Sequence, residues 1–304
     1  MRYPYPSRLH ELLEAGEFVV TAEVGPPQGP DGEVIRTKGD LLRGCVDAAN
    51  VTDNQTAVVR MSSLAACRLL IEQGIEPVMQ TVCRDRNRLA LQSDVLGAGA
   101  LGIGNLLCLS GDHQSFGDQP EAKNVFDVDS IQLLAMVRRM QAQQALPGGA
   151  EMRGRLDLFL GAASNPFAGS VEVRLSRLRK KVAAGARFVQ TQCVYNMDRF
   201  RTFVQMAGDQ GLLDRVYLIA GLTPLRSLKM AKYMAERVAG VDLPEPIVER
   251  IRAAPRGDRP KEGITLCVEQ IQQLQEMPGV RGVHLMAIEW EKRVPEIVRR
   301  AGLL

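Results

Sequence analysis

Residues 94–112, DVLGAGALGIGNLLCLSGD, decide between two folds. Gly97, Gly99 and Gly102 satisfy the GxGxxG pattern of a dinucleotide-binding turn. That pattern works only with a strand before it and a helix N-terminus after it, so that backbone N–H groups meet a pyrophosphate. Here the order is reversed: the amphipathic stretch RNRLALQSDVLG (86–97) precedes the glycines and the apolar run NLLCLSGD (105–112) follows them. The segment reads as a glycine-rich helix-to-strand turn, which removes the main argument for an open, doubly wound sheet.

Working outward, the same alternation fills the chain. Strand-like runs are FVVTAEV (18–24), DAANVTD (47–53), EPVMQTVC (76–83), NLLCLSGD, DLFLGAA (157–163), FVQTQCV (188–194), VYLIAGL (216–222) and GVHLMAI (282–288). Several are almost continuously apolar, as strands covered on both faces must be. Helical patterns such as VIRTKGDLLRGC, SLAACRLLIEQG, DSIQLLAMVRRMQAQQ and RLSRLRKKVAAGA separate them. Eight such units in 304 residues with no composition break predict a (βα)8 TIM barrel in one domain, residues 1–304. The polar stretch 113–129 is then a loop at the C-terminal mouth, and PRGDRPKEG (255–263) a helix–helix connection.

The chain is 45% hydrophobic with a net charge of +3 and interleaved signs, so it implies neither a nucleic-acid nor a membrane partner. The cluster Arg177, Arg179, Lys180 and Lys181 is suited to binding a phosphate locally. Six scattered cysteines without a CxxC pair argue against a metal or iron–sulfur site, and the three inside strand-like runs, Cys83, Cys108 and Cys193, read as reduced core thiols. The N-terminal stretch MRYPYPSRLHELLEAGEF carries no signal-like apolar run, and a reducing cytoplasm is expected. His10, His113 and His284 show no metal spacing, and His113 reads as a solvated loop residue.

Acidic and amide residues gather where the predicted strands end: Glu23, Thr52, Gln80, Asp112, Gln190 and Gln192. In a barrel these ends converge on one mouth, where catalytic groups sit. Any one of them reads as readily as a cap or turn residue. Several at successive strand ends, costly to bury without partners, point to an active site.

The run Thr21-Ala22-Glu23-Val24-Gly25-Pro26-Pro27 resembles the FEFFPP opening of methylenetetrahydrofolate reductases. Leu109-Ser110-Gly111-Asp112 resembles that family's LRGD, and Ala184-Gly185-Ala186…Thr191-Gln192 its AGA…TQ; Asn50-Val51-Thr52 and Ile219–Pro224 continue the likeness. Asp53–Ala57, Cys83–Asn87 and Glu289-Trp290-Glu291 are most similar to the short form of acetogens and related anaerobes. That likeness implies reduction of 5,10-methylenetetrahydrofolate by a reduced flavin in one-carbon metabolism. It implies Glu23 as the general acid, and Asp112 as a catalytic aspartate near flavin and pterin. Gln192 and Leu228 fall at substrate positions, and Thr52, Gln80, Ser110, Gly111, Ala162 and Lys181 at flavin positions, Lys181 on the phosphate. A second, metal-containing subunit, electron-transfer partners and an oligomer are further implications, with NAD(P)H or another reduced carrier as donor.

Departures from the pattern qualify it. Ser110 replaces an arginine, Gln80 a frequent histidine and Leu228 a frequent aromatic, while Arg174 and Arg177 lack the groups that hold the adenosine half of FAD. These changes favour FMN over FAD. The competing reading is a flavin-free, pterin-binding barrel of a methyltransferase system, which places similar side chains in the same architecture.

Overall fold

The eight apolar runs pair in chain order as a closed parallel barrel in the computed structural model, which describes residues 6–304. The first five residues of the N-terminal stretch lie outside the described part. The strands are β1 (Val19–Val24), β2 (Ala48–Val51), β3 (Pro77–Val82), β4 (Asn105–Leu109), β5 (Phe159–Ser164), β6 (Phe188–Cys193), β7 (Tyr217–Leu222) and β8 (Val280–Leu285). Helix α1 (Arg8–Ala15) precedes the barrel. The crossovers are α2 (Gly32–Leu42), α3 (Ser63–Glu72), α4 (Arg88–Ala100), α5 (Ser130–Gln143), α6 (Val171–Ala184) and α7 (Met197–Asp209). Between β7 and β8 run α8 (Leu228–Arg237), α9 (Glu245–Ala253) and α10 (Arg259–Gln275), and α11 (Val294–Arg300) closes the ring. Among the described residues no helix is long and apolar enough to cross a membrane.

The glycine-rich segment behaves as its order requires. Gly97 and Gly99 lie in the last turn of α4, and Gly102 makes the left-handed turn (φ +80°) into β4. The segment 255–263 is half connection and half helix, since α10 already begins at Arg259-Pro260, with proline in its first turn.

Alternation along each strand sorts side chains into two cores. Outward residues such as Ala22, Val51, Met79, Leu106, Ala162 and Val189 pack beneath the helices. Inward residues at the N-terminal end, Val19, Ala48, Val78, Leu107, Phe159, Phe188 and Ile219, meet Leu9 and Leu13 of α1, which plug that end. The His10 ring stacks on Phe159 at 4.2 Å as part of the same plug. Gly161 has no side chain because the Phe188 ring occupies that space. The barrel is therefore sealed at one end and open at the other.

Candidate active site

The open end holds a cavity of about 380 Å³ lined by Glu23, Gln80, Gln190, Gln192, Lys181, Arg174 and Arg177, with Met286 and His284 on the β8 side. Its floor is a polar layer one step above the apolar plug. Gln190 and Asn50 exchange amide hydrogen bonds at 2.6 and 3.0 Å, and Gln190 Nε2 also donates to Thr21 Oγ1 at 3.3 Å. Thr21 Oγ1 lies 2.9 Å from His284 Nδ1. Burial holds the His284 imidazole neutral, with its pKa lowered to about 4. Strand register makes the layer, because Thr21 lies beside His284, and Glu23 beside Asn50.

Glu23 stands one inward position above Thr21, in the cavity wall. Desolvation raises its pKa to about 7, and the hydrogen bond from Gln55 Nε2 at 3.2 Å only partly offsets this. Behind it, Lys38 pairs with the buried Glu291 at 2.7 Å and donates to the Gly25 carbonyl at 3.1 Å, while Arg60 donates to the Pro26 carbonyl at 3.0 Å. The two cations grip the loop after β1 and pull the Glu23 pKa down, and Glu291 pushes it up. Gln55 is presented by a strained turn in which Asn54, Thr56 and Ala57 all have positive φ (42°, 55° and 60°). Such strain persists where neighbouring structure enforces it. Here Gly117 packs directly on Ala57, and Asp118 accepts from Val59 N and Gln28 Nε2, both at 3.2 Å. The 113–129 loop thus lies at the mouth, as expected, and clamps the turn that carries Gln55.

Arg174, Arg177 and Lys181 share one face of α6 and line the cavity together. The Arg174 Nε is buried with no hydrogen-bond partner. Lys181 Nζ donates to the Ala163 carbonyl at 2.5 Å, and its pKa falls to about 8 through desolvation first and the neighbouring Arg177 second. Among the described residues no salt bridge engages any of the three, so this wall is suited to an anion.

Six of the residues singled out in the sequence, Glu23, Gln80, Gln190, Gln192, Arg177 and Lys181, meet in the cavity. Gln192 lies at an irregularity in the pairing of β6 with β7, between Gln190 and Cys193, of the kind that re-aims side chains in a strand. The others lie elsewhere. Thr52 is buried at the end of β2, its hydroxyl without a partner. Ser110 ties β4 to α5 through Ser130, and Gly111 holds φ +90° against Val82 and Arg84. Asp112 is exposed on the loop, its carbonyl accepting from Arg84 at 3.1 Å. The Ala162 methyl turns to the outer core, so on β5 it is the next residues, Ala163 and Ser164, that reach the cavity. Leu228 packs against a satellite cluster that includes Cys193 and Leu225, outside the cavity lining. His113 caps its own exposed turn.

Sequence reasoning passed over His284, Thr21 and Asn50. The signal was present: Thr21 and Glu23 share a face of β1, and His284 falls on the matching face of its neighbour. The segments Asp53–Ala57 and Cys83–Asn87 form a frame. Asp53 accepts from Arg86 at 2.7 and 3.1 Å and from Val82 N at 2.9 Å, while Arg84 binds Asp85 twice and the carbonyls of Asn54 and Asp112.

A sealed parallel barrel with a desolvated carboxyl and a cationic wall in one cavity at its C-terminal mouth has the layout in which TIM-barrel enzymes carry their active sites. The chain belongs to the methylenetetrahydrofolate reductase family, whose family model matches residues 8–302. It is 25% identical over 259 residues to a probable methylenetetrahydrofolate reductase (NADPH) of Caenorhabditis elegans, covering 84% of this chain and 36% of that protein. It is 24% identical over 238 residues to methylenetetrahydrofolate reductase 2 of Schizosaccharomyces pombe, covering 76% of this chain and again 36% of the relative. The chain therefore spans little more than a third of these relatives. Among solved structures, a Clostridium thermocellum protein described as binding two copies of 5-methyl-5,6,7,8-tetrahydrofolic acid superposes with a TM-score of 0.63 at 14% identity, over 97% of this chain and 98% of that one. At that identity the likeness speaks for the fold.

Proposed function

We propose that this chain reduces 5,10-methylenetetrahydrofolate to 5-methyltetrahydrofolate with a reduced flavin, Glu23 being the acid that opens the substrate. The observation that carries the reading is the Glu23 carboxyl, held at a pKa of about 7 in the cavity wall. The methylene bridge must open to an iminium before it accepts hydride, and opening requires a proton at N10. An ordinary carboxyl is ionised at neutral pH; one with a pKa near 7 keeps a protonated fraction and remains acidic enough to give the proton up. Gln55 orients that carboxyl, and Gln192 and the exposed Asp112 are assigned to the pterin, with Leu228 behind the substrate's tail.

The residues present fit a flavin phosphate. Arg174, Arg177 and Lys181 supply cationic donors on one wall, and the buried Arg174 Nε lacks an acceptor. Lys181 takes the phosphate and Gln80 the ring, with Ala163 and Ser164 of β5 beside it, while Thr52, Ser110 and Gly111, which the family likeness also assigns to the flavin, lie outside the cavity lining. Three cations on one wall suit the negative charge of a flavin phosphate, and Arg174 and Arg177, standing where the family has groups that hold an adenosine, favour FMN over FAD. When bound, the reduced flavin supplies the hydride. The donor that reduces it is a reduced carrier, a nicotinamide or a partner protein, and the short-form likeness assigns the chain a second, metal-containing subunit.

A visible absorption spectrum of the purified protein, with identification of the flavin it releases, tests the reading. The expected protein is yellow, bleaches on reduction, regains colour with methylenetetrahydrofolate and releases FMN. A colourless protein that regains no flavin on reconstitution overturns it. Folate binding by that colourless protein would install the flavin-free, methyltransferase-type barrel instead.

A further inference from the structure

His284 is a titratable group on the cavity floor that the mechanism above leaves unused. Its side chain is 3% exposed, yet it lines the cavity between Thr21 and Met286. Only Nδ1 is engaged within the protein, by Thr21 Oγ1 at 2.9 Å. Nε2 has no protein partner among the described residues and is not sealed from the cavity.

Proton counting narrows the tautomer to two arrangements. Gln190 uses one amide hydrogen on Asn50 Oδ1 and the other on Thr21 Oγ1. The threonine hydroxyl, already accepting, keeps a single proton to donate. It can go to His284 Nδ1 at 2.9 Å, or to the Val283 carbonyl at 3.4 Å while the second lone pair of the hydroxyl accepts from Nδ1–H. In the first arrangement, which spends the hydroxyl proton on the shorter contact, Nδ1 is the acceptor and the imidazole hydrogen resides on Nε2, on the cavity side. The ring is desolvated and neutral, so it stays a single-hydrogen donor at physiological pH. A nearly buried N–H without an acceptor is costly, and an acceptor brought by a ligand relieves that cost.

We propose that His284 is a ligand-orienting residue whose Nε2–H donates to a carbonyl oxygen on the inner edge of the conjugated heterocycle seated in this cavity. The inference rests on the reading that a flavin and a folate use the site; both carry cyclic-amide carbonyls. The Asn50–Gln190–Thr21 chain fixes the donor's direction without supplying charge, so it selects an uncharged acceptor edge. Thr21 is a positioning residue in this scheme, because it acts only through the imidazole.

The test uses His284→Phe, which keeps a ring and removes the donor, and His284→Gln, which retains an N–H. Flavin affinity is measured by fluorescence titration of the apoprotein, and 5-methyltetrahydrofolate affinity by titration of the flavin-loaded protein. His284→Phe is expected to weaken one of the two by about tenfold, the scale of one lost hydrogen bond. His284→Gln should recover to within about threefold of wild type. The ligand affected is the one whose ring reaches the floor. Imidazole ¹⁵N shifts of the wild-type protein should report the Nε2–H tautomer, and Thr21→Val should move them towards a mixture, a readout that a purely structural threonine would leave unchanged. Wild-type affinity for both ligands in His284→Phe, or an Nδ1–H tautomer in the wild type, overturns the inference while leaving the flavin–folate reading intact. A wild-type protein that binds neither ligand overturns both.

Discussion

At the sealed end of the barrel, Glu76 accepts from Arg8 N, Leu9 N and Asn105 Nδ2 at 2.8–2.9 Å, and Asp47 accepts from Val20 N at 2.8 Å. At the open end, among the described residues, Glu23 accepts from Gln55 alone, at 3.2 Å. All three carboxyls are half-buried, so exposure does not separate them. Their donors do. Glu76 caps the first turn of α1, a site that helix N–H groups and the dipole both favour. Asp47 is also pushed up by desolvation, but its backbone bond opposes the shift. Glu23 lacks any backbone donor, and its pKa rises to about 7. Among the described residues, the mouth also holds a counter-example. Asp53 is 3% exposed and is answered by Arg86 and Val82 N, so its place at a strand end makes it structural. Position at the C-terminal end of a strand nominates a residue, and unmet hydrogen-bonding capacity sets Glu23 apart from Asp53.

The largest effect should come from Glu23→Gln. The amide keeps the side chain's size and its contact with Gln55 but has no proton of suitable acidity. Turnover of methylenetetrahydrofolate should fall by about 10²–10⁴-fold with flavin content unchanged, as measured by steady-state kinetics and absorbance. Near-normal turnover would place Glu23 with Glu76 and break the comparison.

Asp53→Ala should act on stability. It strands a largely buried Arg86, although Asp94 remains 2.8 Å away, and a loss of about 3 kcal/mol in denaturant unfolding is expected. Glu76→Ala removes donors' partners at a helix start and should cost less, about 1–2 kcal/mol. If Asp53→Ala left stability unchanged and abolished turnover, the satisfied-versus-unsatisfied distinction would fail.

The barrel was legible because period and order suffice: eight apolar runs alternate with amphipathic stretches, and Gly97–Gly102 precedes a strand. Glu23, Gln80, Gln192 and Lys181 were legible because inward alternation or a helix face places them at the mouth. Ala162 shows the limit of that logic, since a one-residue step along a strand exchanges the cavity for the outer core. Asp112 shows another: it follows β4 by three residues, where pleat no longer dictates direction and the Arg84 frame does. His284, a lone histidine in an apolar run, became meaningful only when register set it beside Thr21. The partners that decide each role come from distant strands, and only closure of the barrel brings them together.

The smallest effect is the most discriminating, because it separates Glu23 from the other groups that titrate nearby. Its folded pKa of about 7 lies above the ordinary 4.5, so the folded state holds the proton more tightly than the unfolded chain. Folded stability therefore declines as pH rises from about 4.5 to 7, and the full penalty is present above 7. The shift alone corresponds to on the order of 3 kcal/mol; partial exposure reduces this to roughly 1–2 kcal/mol. Glu23→Gln has no such penalty. The variant should match the wild-type Tm near pH 4.5 and exceed it by roughly 2–5 °C at pH 8. His284 works in the opposite sense: its pKa of about 4 lies below the ordinary 6.5, so its contribution is lost as pH falls through that interval, equally in both proteins. Thermal scans of the pair from pH 4.5 to 8 thus cancel the floor and report the wall. A Tm difference independent of pH would mean that Glu23 is ionised in the folded state like any satisfied carboxylate, and the contrast between the two ends of the barrel would vanish.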